Sequence, residues 1–162
     1  APMEDSPANF FQRAALIWRE MPVPVIAALH GIVYGGGLQV AMGADYRIAA
    51  PSTRCSVMEL RWGIIPDMGI SNSMRDTVRL DHLRELTYTG RVVDADEALA
   101  LGLVSRISDE PLRAAREDAL RHEALLQSRL IGGANQREAV RSNMEKREPR
   151  FQPPVEIDIS RG

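Results

Sequence analysis

The sequence predicts an α/β layered fold, and three observations carry that expectation. Val25 to Leu29 is an unbroken apolar run of strand length, and it stops at Gly31. Three consecutive glycines, Gly35 to Gly37, then open an apolar segment of helical length that ends near Asp45. The same alternation of strand, turn and helix recurs down the chain, the pattern of layered α/β domains. With 162 residues, 44% hydrophobic and 26% charged, the chain is long enough to bury a core of its own.

Taken in order, Ala1 to Ala8 reads as a loop. Ser6 or Asn9 is placed to cap a helix over Phe10 to Glu20, whose Phe11, Ala14, Ala15, Ile17 and Trp18 form a helical stripe. Pro22 and Pro24 stop it, because each disfavours helix at the residue before it. The strand Val25 to Leu29 has the uninterrupted apolar character of a sheet covered on both faces. After the glycine turn and a helix over Leu38 to Met42, strands are expected at Tyr46 to Ala50 and Arg54 to Val57. Trp62 to Ser73 reads as a loop broken by Gly63, Pro66 and Gly69. Helices are expected around Asn72 to Val78 and Asp81 to Tyr88, the second ending at Gly90. Asp94 is placed to cap a helix over Ala95 to Leu101, Gly102 closes it, and Leu103 to Ile107 is a strand. Pro111 to Lys146 reads as helical, with arginines and glutamates alternating as on a solvated or subunit-facing surface. The prolines at 149, 153 and 154 end the helix, and the last ten residues read as a tail. No internal repeat is visible.

The bulk properties exclude several classes. A net charge of −2 gives no electrostatic case for nucleic acid or an anionic membrane. The single cysteine, Cys55, excludes an intrachain disulfide and a cysteine-cluster metal site, and its strand context marks it as a small buried hydrophobe. No His/Asp/Glu spacing fits a metal site. There is no apolar run of membrane length and no signal-peptide pattern, so a cytoplasmic protein is expected.

The glycine triplet is the feature richest in chemistry. A strand turning through bare backbone into a buried helix leaves N–H groups unpaired at the helix start, where the dipole favours an anion or a developing oxyanion. The G-x-G-x-x-G spacing of a dinucleotide site is absent after Val33, and no lysine follows as in a phosphate-binding loop.

Taken with the segments downstream, the chain resembles the crotonase family, the enoyl-CoA hydratases and isomerases. The resemblance rests on Pro24 to Gly31, the Gly35–Gly37 triplet, Ala44-Asp-Tyr-Arg-Ile-Ala-Ala50, Met58-Glu59 and Gly63-Ile-Ile-Pro-Asp67. It continues through Leu86 to Ala98, Gly102-Leu-Val104 and the closing segment Arg137 to Phe151. It implies a crotonase-like spiral of ββα units with a helical C-terminal region that packs subunits into trimers or hexamers. Residues 1–108 would then be a partial crotonase core, and 109–162 a helical oligomerisation region and tail. Members of the family carry a further half-domain before the position of Ala1, which donates a second oxyanion N–H. They also usually carry about two more helices between Val104 and the closing segment. A chain lacking part of the N-terminal and C-terminal regions is therefore expected.

By the same resemblance the substrate is an acyl-CoA thioester, with coenzyme A part of the substrate and no separate cofactor. The enzymes stabilise the enolate formed when a proton leaves or joins the carbon beside the thioester carbonyl, as in fatty acid β-oxidation. Such chemistry needs N–H donors aimed at the thioester oxygen and a carboxylate on the reacting carbons. Gly36 matches the oxyanion donor, and Gly35, Gln39 and Trp62 match substrate-binding positions. Of the two positions that carry the hydratase acid/base pair, one is Glu59 and the other is Gln39. An amide does not exchange a proton at neutral pH, so Gln39 can hold a water or a substrate group but not act as a general base. Asp67 matches the acid that assists in members shifting double bonds. His30 matches a structural strand-end position, and Ser71 and Ser73 have no neighbouring base motif. Double-bond isomerisation with Glu59 and Asp67 is the expected activity. The alternatives are hydration of a 2-enoyl-CoA, or an inactive crotonase-like fragment that serves in binding or assembly.

Overall fold

The computed structural model describes residues 8–153, which form two compact units divided at Ala119 and Leu120, inside one helix. The expected loop at residues 1–7, a cap at Ser6 and the tail beyond residue 153 lie outside the described residues.

In the first unit, helix α1 (Phe10–Leu16) starts at Asn9 with a reciprocal capping box: Gln12 N–H donates to the Asn9 side chain at 3.0 Å, and Asn9 N–H to the Gln12 side chain at 3.0 Å. It tightens into a 3-10 turn over Ile17–Glu20. Of its apolar stripe Ala15 is fully buried, whereas Phe11 and Trp18 stay exposed, as does Phe10 beside them. Strand β1 (Ile26–Leu29) pairs in parallel with β3 (Tyr46–Ala49), which pairs in parallel with β5 (Arg106–Ile107). The expectation that β1 is covered on both faces is corrected. It is an edge strand among the described residues, and three of its four residues are only half-buried.

A strand not anticipated from the sequence, β2 (Ile32–Tyr34), comes after Gly31 and pairs in parallel with β4 (Arg54–Ser56) in a second sheet. Three residues between glycines are too few to show periodicity, yet Ile, Val and Tyr are all strand formers. Helix α2 (Gly36–Ala41) begins directly after it. The chain thus lays β1 and β3 side by side in one sheet and β2 and β4 side by side in the other, a spiral of ββα turns.

Beyond β4, a 3-10 turn spans Glu59–Trp62 and helix α3 is Ile70–Ser73. The helix expected over Asn72 to Val78 is therefore corrected: residues 74–78 are turns and bends, in which Thr77 N–H and Val78 N–H both donate to Met74 O. Helix α4 (Leu80–Thr89) ends at Gly90 as expected, and Asp94 caps α5 (Ala95–Ala100) by accepting from Glu97 N–H at 2.9 Å. Glu97 pairs with Arg91 at 2.7 Å.

The core joins the two sheets to α2, α4 and α5 through Leu38, Met42, Cys55, Val57, Met74, Leu86 and Leu103, all essentially inaccessible. Burial pushes the Cys55 thiol up to about 11. Helix α6 (Pro111–Leu130) lays Ala114 and Ala115 against Ile48 of β3.

The second unit contains the remainder of α6 and helix α7 (Ala134–Glu145). The continuous helix expected from Pro111 to Lys146 is interrupted at residues 131–133, where the Gly132–Gly133 pair ends α6. Arg147 folds back onto Glu138 and Glu145, both at 2.6 Å, and Asn135 exchanges two hydrogen bonds with the backbone of Gln152. Leu125, Leu130, Val140 and Met144 remain exposed. Among the described residues, no helix is long and apolar enough to cross a membrane.

Candidate active site

The parallel pairing of β2 with β4 builds the site. Its register runs from Ile32 opposite Arg54 to Tyr34 opposite Ser56, and Gly35 N–H extends it by donating to Ser56 O at 2.9 Å. Because the two strands end level, the segments beyond them emerge at the same place. Beyond β2 that segment is the start of α2, and beyond β4 it leads to Glu59.

Gly35 turns the chain with φ 53° and ψ −124°, a conformation closed to residues with a Cβ. The bare face of this glycine lies against the Glu59 carboxylate: a Cβ there would sit 3.4 Å from Oε1. Gly36 begins the helix beneath the Met68 side chain, whose sulfur would be 3.0 Å from a Cβ at Gly36. The first N–H groups of α2 have no acceptor within the helix, as at any helix start.

Glu59 is 6% exposed and Gln39 is 1% exposed. The Gln39 amide Nε2 donates to Glu59 Oε1 at 2.6 Å, and Gln39 Oε1 accepts from Met68 N–H at 2.9 Å. Those two bonds fix which end of the amide faces the carboxylate. Glu59 Oε2 is buried and has no hydrogen-bond partner among the described residues. A buried carboxylate oxygen left unclaimed is costly in a finished core and is characteristic of a working site.

Gly35, Gly36, Gln39 and Glu59 are thus brought together. The side chains of Asp67 and Trp62 are not joined to them by any hydrogen bond among the described residues. Trp62 ends the 3-10 turn that Glu59 begins and is 75% exposed. Asp67 is exposed, although the next residue, Met68, holds Gln39. His30 is exposed at the end of β1. Among the described residues, no group of three His, Cys, Asp or Glu side chains is placed to hold a metal ion. Two features are not visible in the sequence: the clamp of Met68 N–H on Gln39, and the role of Gln39 in holding Glu59 itself. A backbone donor leaves no trace in a sequence. The triplet of strand formers at 32–34, flanked by glycines, is a local signal that could have found β2.

The ββα spiral is the crotonase fold, as in the solved structures this chain is similar to. The profile of the enoyl-CoA hydratase/isomerase family matches residues 4–150, and the chain belongs to that family. It is 37% identical over 90 residues to the mitochondrial methylglutaconyl-CoA hydratases of Mus musculus and Homo sapiens, covering 56% of this chain and 29% and 26% of theirs. A candidate enoyl-CoA hydratase of Streptomyces coelicolor is 31% identical with a TM-score of 0.67, covering 88% of this chain and 63% of that one. DspI of Pseudomonas aeruginosa is 25% identical with a TM-score of 0.68, covering 88% of this chain and 66% of that one. The match therefore spans less than a third of the curated relatives and about two thirds of the solved structures.

Proposed function

We propose that the chain acts on an acyl-CoA thioester and moves a double bond along the acyl chain, with Glu59 as the proton carrier. One observation supports this above the others: a buried carboxylate with one oxygen held by an amide and the other unclaimed. In a 3-enoyl thioester, Glu59 takes a proton from C2, and the electron pair delocalises onto the thioester oxygen as a dienolate. The Gly36 N–H holds that oxygen. Glu59 then returns the proton to C4, leaving the double bond between C2 and C3. No water enters, so one carboxylate is sufficient. Gln39 keeps Oε1 pinned so that Oε2 faces the substrate. Asp67 is a second acid by family resemblance, and Asp67→Asn tests it separately.

Hydration is the second reading, supported by the similarity to the methylglutaconyl-CoA hydratases. In it Glu59 alone would handle protons, while the Gln39 amide, held by Glu59 and Met68 N–H, could use its remaining N–H or lone pair to orient a water without exchanging a proton.

The test is turnover of 2-enoyl- and 3-enoyl-CoA esters in deuterated water, read by mass spectrometry. A migrated double bond with no added water is expected. The hydrogen at C4 comes from C2 or, where the Glu59 carboxyl exchanges with solvent before the return step, arrives as deuterium. Glu59→Gln should lose about 10²-fold or more. Gln39→Glu should introduce hydration. Water addition by the unaltered chain, or isomerisation untouched by Glu59→Gln, would overturn the proposal.

A further inference from the structure

A polar cavity of about 210 Å³ opens at the C-terminal end of α2. It is walled by Arg19 from the 3-10 turn after α1, by Met42 to Asp45 at the end of α2, by Arg47 of β3, and by Ser73, Asp76 and Thr77. All of these residues belong to the first unit, and none takes part in the Gln39–Glu59 arrangement.

Its polar groups have donors to spare. Arg47 is 3% exposed, and its guanidinium donates through Nε to Leu103 O at 2.9 Å and through Nη1 to Ala44 O at 2.7 Å. A guanidinium carries five N–H groups. Nη2 and one Nη1 hydrogen therefore have no protein acceptor among the described residues. Ser73 is 1% exposed, and its hydroxyl is buried with no hydrogen-bond partner among the described residues. Arg19 holds the Ser73 carbonyl at 3.2 Å and pairs with Asp76 at 2.9 Å. Burial lowers the Arg47 pKa, Asp45 opposes that, and the like charge of Arg19 adds to it, so the two guanidiniums feel each other.

Two acids face the same cavity and offset part of its positive charge. Asp45 is exposed and its Oδ2 accepts from Val25 N–H at 2.8 Å. The Asp76 side chain is 67% exposed, where an ion pair is screened by water. Two guanidiniums lining one cavity, with the buried Ser73 hydroxyl in its wall, supply the kinds of donor that a carboxylate or phosphate group takes. The volume exceeds that of a single water several-fold, leaving room for such a group with its remaining hydration.

We propose that the cavity between Arg19, Arg47 and Ser73 binds a small oxyanion, which bridges the two guanidiniums and engages the Ser73 hydroxyl. Nothing in this depends on the acyl-CoA activity.

The test is calorimetric titration and thermal unfolding of the whole chain with inorganic phosphate, with acetate, and with chloride at matched ionic strength. Saturable binding of phosphate or acetate beyond the chloride control is expected, and the one that binds identifies the source of the oxyanion. Arg19→Gln and Ser73→Ala should each weaken binding about tenfold, the effect of one lost charge-assisted bond. Asp76→Asn, which removes a competing carboxylate, should strengthen it. The anion-free unfolding temperature of each variant shows whether it is folded. No saturable binding, or an equal rise in unfolding temperature for all four proteins as excluded salts produce, would overturn the proposal and leave the cavity to water.

Discussion

Replacing Gln39 with leucine probes the bond on which the site depends. Two hydrogen bonds are lost. The 2.6 Å bond to the buried Glu59 carboxylate is charge-assisted and worth about 1.5–3 kcal/mol. The 2.9 Å bond from Met68 N–H is partly buried and worth about 1 kcal/mol. Gln39→Leu should therefore destabilise the first unit by about 3 kcal/mol. Glu59→Leu removes the other partner and strands the Gln39 amide, while the double variant loses both partners together. If the carboxylate and amide act as a pair, the double variant is more stable than the sum of the single losses predicts, by about 2 kcal/mol. Both tryptophans of the chain, Trp18 and Trp62, lie in this unit, so their fluorescence in urea reports on it directly. With a slope of about 1–3 kcal/mol/M, Gln39→Leu should move the midpoint by more than about 1 M. Additivity within about 0.5 kcal/mol would refute the pairing.

Four further outcomes are expected from the same structure. Gly37 lies inside α2 with nothing within 4 Å of a Cβ, so Gly37→Ala should stabilise the protein by about 0.5–1 kcal/mol in thermal unfolding. Gly102 has φ +83° and a Cβ there would sit 2.2 Å from Thr77 O, so Gly102→Ala should cost more than about 2 kcal/mol, measured the same way. Cys55 is fully buried with its thiol pushed up to about 11, so it should resist a thiol reagent at pH 8 until the chain unfolds. Because the folded value is raised, its contribution to stability is complete below an unfolded value of about 9 and is lost as pH rises through about 11. The Arg147 guanidinium and Arg150 N–H hold the Glu138 carboxyl down to about 2, so its tie to Arg147 should persist above about pH 4.5. It should fade as pH falls toward 2, observable by NMR titration and weakened by salt at this exposed position.

Much of the first unit was legible because its signals are local. The helix ending at Gly90, the cap at Asp94 and the strands at Tyr46 and Arg54 each depend on a residue type at a fixed offset. Where the sequence misled, a local preference gave way to packing. Residues 74–78 are turns rather than helix, with Met74 and Val78 drawn into the core. The apolar run of β1 is only half-buried because its position in the sheet, not its composition, sets its cover.

At the candidate site, the residue types alone determined that the Glu59 side chain can exchange a proton and that the Gln39 amide cannot, since that capacity resides in the side chain. Only the tertiary structure decided that these two meet. They stand twenty residues apart, and their 2.6 Å bond exists because β2 and β4 run parallel and end level, at Tyr34 and Ser56, a few residues before Gln39 and Glu59. Strand register of that kind is a non-local property. It is set by which strands find each other, and no period or motif within either segment records it.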